Sequence, residues 1–74
     1  MSDSKYGAIQ GVPDDEPCFV IRAQDVASVE TVQDYAVRAH RMGASLAHRQ
    51  AAYEISLAMK QWQEDNPDKV KVPD

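Results

Sequence analysis

A single cysteine, Cys18, stands among the 74 residues, so no intramolecular disulfide can close the fold. A metal cluster is missing too: His40 and His48 lie eight positions apart with no carboxylate at ligand spacing, which argues against a zinc site. No apolar run approaches the ~20 residues that a membrane span requires. The opening "MSDSKYGAIQ" has neither an apolar signal core nor an arginine-rich transit pattern. These absences lead to the expectation of a reduced, cytoplasmic protein with no membrane partner. Enzymatic signatures are equally scarce. The chain has no glycine-rich phosphate loop, no nucleophile elbow and no HExxH pair. Asp14, Asp15 and Glu16 are contiguous, a poor arrangement for holding two carboxylates apart for acid–base work. A non-enzymatic protein with no cofactor is expected. Positive charge is also in short supply: 8 Lys and Arg face 12 Asp and Glu, for a net charge of -4, which disfavours non-specific nucleic-acid binding.

What is present must fold within a narrow margin. A domain this small buries only about 60% of the surface its unfolded chain exposes, and small domains make up the deficit with disulfides, metals or association. With no disulfide and no metal cluster, a homo-oligomer, at least a dimer, is the expected remedy.

The stretch "GVPDDEP" sets Gly11, Pro13 and Pro17 around three acids, so residues 1–17 read as a flexible acidic tail. Tyr6, Ile9 and Val12 recur in it at three-residue steps, which would let part of the tail dock on a neighbour. "CFVIRAQ", Cys18 to Gln24, is β-prone and reads as a strand. A lone strand cannot satisfy its own N–H and C=O groups. Pairing is therefore expected between subunits, or with the short alternation "KVKV" inside a C-terminal tail at 67–74. A first helix is expected from about Ser28, as N-cap, to Met42, with Val32, Tyr35, Ala36, Ala39 and Met42 as its apolar stripe. Gly43 suits a left-handed cap and Ser45 can start a second helix over Leu46–Asp65, stopped by Asn66-Pro67. On this second helix Ala47, Ala51, Ile55, Ala58 and Trp62 share one face, expected to pack on the first helix; Leu46, Tyr53 and Leu57 lie nearly opposite, with no partner in the chain. The expected fold class is α+β, mostly helical: one N-terminal strand followed by an antiparallel helical hairpin over 18–66. Phe19, Ile21 and Arg22 of the strand, with Leu46, Tyr53 and Leu57, form the expected oligomer interface.

Against this acidic background, "RAHRMGASLAHR" carries three arginines, two histidines and no carboxylate. Arg38 and Arg41 suit a helix C-terminus, where cations favour the dipole. His48 and Arg49 fall in a first turn, where they do not. An anion bound by Arg38, Arg41, Ser45, His48 and Arg49 would remove that conflict and would make the stretch a phosphate or nucleotide site. Solvated helix trim is the plainer alternative. The small-residue spacing of Ala39 and Gly43 before a new helix also imitates a helix-turn-helix, but a third helix is missing and Arg49 and Ala52 stand where core anchors belong.

At "DDEPCFVIRAQD", the chain resembles a group of short phage and prophage proteins, in which an acidic tail leads through Glu-Pro into a Phe-Val-Ile/Leu-Arg-Ala-Gln-Asp strand with a later Trp-Gln. Glu16, Pro17, Phe19 to Asp25, Trp62 and Gln63 match; Cys18 stands where the group commonly has an aliphatic residue. The resemblance implies phage origin. It further implies action by binding, either on a host protein or as a sponge for a signalling nucleotide.

Overall fold

A computed structural model describes residues 11–73. Tyr6 and Ile9, and with them the docking expectation for the tail, lie outside the described residues. The fold is a helical hairpin: α1 spans Ser28–Arg41 and α2 spans Leu46–Asp65, followed by a single 3-10 turn at Pro67–Lys69. Among the described residues no helix is long and apolar enough to cross a membrane.

The hairpin turn is built from strictly local chemistry. Gly43 takes φ +110°, its N–H donates to the His40 carbonyl, and the Ala44 N–H reaches back to Ala39 O at 2.9 Å. This double closure satisfies carbonyls that the end of α1 would otherwise orphan. Ser45 then caps α2, its hydroxyl accepting from the His48 N–H at 3.1 Å. At the far end both nitrogens of Asn66 donate to Trp62 O, and Pro67 prevents continuation.

The expected strand is not formed: among the described residues there is no strand, so the α+β class gives way to a helical hairpin. Pairing of such a strand between subunits goes with it. Phe19, Val20 and Ile21 have β propensity but no ladder beside them, and propensity without a partner leaves backbone groups unmet. The residues that follow are instead taken up by two tight turns, with Asp25 N–H donating to Arg22 O and Ser28 N–H to Asp25 O, both at 2.9 Å. What remains of β pairing is one isolated parallel bridge between Asp25 and Lys71. In it Lys71 N–H donates to Gln24 O and Val26 N–H to Lys71 O. The C-terminal segment thus folds back onto the entrance to α1.

Ser28 does not cap α1 either. Ala27 occupies that position without a side-chain cap, and Ser28 is the first helical residue, fully buried. Its hydroxyl donates to Ala23 O and receives a hydrogen bond from Gln63 Nε2 at 3.2 Å. The start of α1 is held from outside by Asp25, whose Oδ1 accepts from Ala27 N–H at 2.8 Å.

The seam between the helices differs from the apolar stripes read from the sequence. Its buried residues are Ser28, Ala36, Ala52 and Ser56. Val32 and Ala39 continue it on α1, and Arg49, Met59 and Gln63 on α2, all half-buried. Tyr35 and Met42, counted in the expected α1 stripe, are exposed, Met42 at 88%. Trp62, from the face of α2 expected to pack, is half-buried beside the seam, while Ile55 is 54% exposed. The physical reason is size: small side chains let two helix backbones approach closely, and bulkier ones are left on the flanks. The buried hydroxyls cause no penalty, because Ser56 donates to Tyr53 O within its own helix. No buried side-chain nitrogen or oxygen among the described residues lacks a partner.

Candidate binding surfaces

The two flanks of the seam form two grooves of different character. The first, of about 580 Å³, runs between Gln33 and Val37 of α1 and Leu46, Arg49, Tyr53 and Glu54 of α2. It combines apolar walls with both charge signs. Arg49 reaches it from a half-buried position in the first turn of α2. The second groove, of about 520 Å³, lies on the other side of the seam. Phe19 and Ile21 of the entrance segment, Val32 and Tyr35 of α1, and Ala51 and Ile55 of α2 line it. No Lys, Arg, Asp or Glu contributes to that lining. A smaller cleft of about 140 Å³ sits where the C-terminal segment meets the entrance segment, between Arg22, Asp25 and Lys71.

These grooves separate the residues of the basic stretch. Successive helical residues point ~100° apart, and His48 accordingly lines the apolar groove while Arg49 lines the mixed one. The His48 ring meets Tyr35, with the hydroxyl 2.9 Å from Nε2 and the rings edge-on at 5.8 Å. The Ser45 hydroxyl is engaged as the α2 cap. Arg38 pairs with Asp34 across one turn of α1 at 2.7 Å, an exposed contact. Arg41 is exposed. The five residues therefore do not converge on one anion, and Arg49 alone among them faces a groove from a half-buried position.

The expected interface residues are divided in the same way. Phe19 and Ile21 line the apolar groove, Leu46 and Tyr53 the mixed one. Arg22 lines the small cleft, and Leu57 is exposed outside all three. No third helix accompanies the hairpin among the described residues, and no group of three His, Cys, Asp or Glu there could hold a metal.

Two features were not anticipated from the sequence. One is the Tyr35–His48 pair, which joins the helices near the turn; its residues are 13 apart, beyond any local rule. The other is Gln63, whose amide donates to Ala23 O, Asp25 O and Ser28 Oγ, binding the last turns of α2 to the entrance of α1. A glutamine in a polar helix end gives no periodic signal, although its pairing with Trp62 was part of the resemblance. Comparison with known proteins adds no further guide: no family model, curated protein or solved structure shows significant similarity to this chain.

Proposed function

We propose that this chain is a small non-enzymatic phage accessory protein that acts by binding, as a homo-oligomer, on a host factor. The observation that carries the reading is the distribution of apolar side chains. The hairpin closes over serines and alanines, while Phe19, Tyr35, Leu46, Tyr53 and Ile55 stay exposed in the grooves along its flanks, and Leu57 is exposed outside them. Scattered apolar residues are ordinary on a protein surface; contiguous ones lining grooves mark association sites. The resemblance of the entrance segment to phage proteins supplies the biological setting.

A phosphate-bearing small ligand, such as a signalling nucleotide, is the second reading, favoured by Arg49 in a groove of about 580 Å³. That volume lies within the range of roughly 300–1,000 Å³ typical of small-molecule pockets.

Light scattering at micromolar concentration, followed by a thermal-shift panel of phosphate and nucleotides, tests both. The expected result is a particle of at least twice the 8.2 kDa chain mass, with a melting temperature indifferent to the panel. An 8.2 kDa particle would overturn the oligomer. A nucleotide-dependent rise abolished by Arg49→Ala would establish the second reading in place of the first.

A further inference from the structure

We propose that a second copy of this chain covers the apolar groove, giving a two-layer dimer of four helices that leaves the Arg49 groove facing outward. The inference rests on the homo-oligomer reading above and assigns it a face.

Three observations select this occupant. The first is charge. The lining around Phe19, Ile21, Val32, Tyr35 and Ile55 holds no Lys, Arg, Asp or Glu. A partner surface bearing charge would lose its hydration there without compensation. The same face of another copy is apolar in the same way and needs no charge to match it. Two-fold symmetry brings one patch against itself, so self-complementarity is all the contact requires.

The second observation is thickness. The chain measures 35 × 32 × 17 Å. Two helices packed side by side form a single layer, and among the described residues only the entrance and C-terminal segments lie beside it. Stable domains are built from at least two layers packed over a shared apolar interior. The described residues contain no third helix or sheet to supply the second layer.

The third is extent. A stable pair of proteins buries roughly 800 Å² on each partner, more than the groove lining alone offers, so the contact would spread from the groove across the broad side of the hairpin, 35 × 32 Å in outline. Phe19, 84% exposed at the edge of the groove, is the natural anchor: a ring in that setting is not held by its own chain. The mixed groove differs in kind. Gln33, Arg49, Gln50 and Glu54 bring amides and opposite charges to its walls, groups that remain hydrated when it faces water.

Sedimentation velocity across a concentration series, on the full chain and on three variants, tests the assignment. Phe19→Ser is the primary variant, because Phe19 precedes α1 and its exposed ring contributes little to the hairpin. It should weaken the dimer by roughly 100-fold, since symmetry places the substitution in the interface twice. Ile55→Glu should dissociate the dimer as well, with far-UV circular dichroism confirming that both variants stay helical. Tyr53→Ser, in the mixed groove, should leave association unchanged. Dissociation by Tyr53→Ser with Phe19→Ser unaffected would overturn the proposed face while keeping the oligomer. A monomeric wild-type chain would overturn both this proposal and the oligomer reading it rests on.

Discussion

Gln63 does more than its place in a polar helix end implies. Its amide carries two hydrogens and faces three acceptors, the carbonyls of Ala23 and Asp25 and the hydroxyl of Ser28. Ser28 is fully buried, so truncating the amide would remove three hydrogen bonds from a buried cluster, although Ala23 O keeps the Ser28 hydroxyl and Asp25 O keeps the Ser28 N–H. Gln63→Ala should therefore lower stability by about 1–3 kcal/mol, measured by urea unfolding. A loss within about 0.5 kcal/mol, the range of an ordinary surface change, would show that water takes the place of the amide. Gln63 joins the entrance segment to α2 through the backbone carbonyls of Ala23 and Asp25. Holding the entrance segment against α2 is sufficient reason for a glutamine at 63. No spacing rule connects residues 40 positions apart, so this contact was not legible in advance.

The helices themselves were legible where their determinants are local. Gly43, Ser45 and Asn66-Pro67 mark the turn and the end of α2, and the structure ends and starts its helices there. The glycine can be tested directly. At φ +110° a Cβ would meet no atom within 4 Å, so Gly43→Ala adds no clash and only backbone strain. Thermal unfolding should show a loss of about 1–2 kcal/mol, the penalty for an L-residue in that region; an unchanged melt would mean the turn relaxes to another closure. Two other features were misread, each for a physical reason. The strand at 18–24 was inferred from composition, yet a strand exists only by virtue of its neighbour, and none is provided among the described residues. The helix seam was inferred from the apolar period, with the alanines of the Ala47, Ala51, Ile55 and Ala58 face expected to allow close approach, whereas Ala52 and Ser56 take that place. Ser56, polar by any scale, is fully buried, and Ile55 beside it is exposed. In the candidate anion site, His48 and Arg49 are adjacent in sequence and accordingly line different grooves.

Taken as a whole, the molecule is a hairpin fastened at both ends. The turn end has its glycine cap and the Tyr35–His48 contact; the open end has Gln63 and the Asp25–Lys71 bridge. Deleting residues 70–74 removes the bridge and with it the two backbone hydrogen bonds that Lys71 makes to Gln24 and Val26. At about 1 kcal/mol each, and with roughly 4–8 °C per kcal/mol for a domain of this size, the melting temperature should fall by about 10 °C at matched protein concentration. Helicity should persist at low temperature; an unchanged melting temperature would show that the bridge holds nothing. The two fastenings also differ in how far along the chain they reach, 13 residues for Tyr35–His48 against 40 for Gln63–Ala23. Closing the longer loop costs about 1 kcal/mol more in chain entropy, so the hairpin zips from its turn and Gln63 engages late. Contacts made after the rate-limiting step govern how fast a protein opens and leave its folding rate alone. The Gln63→Ala loss should thus fall on the unfolding arm of the denaturant-dependent kinetics. The turn decides how soon this chain closes; the glutamine decides how long it stays shut.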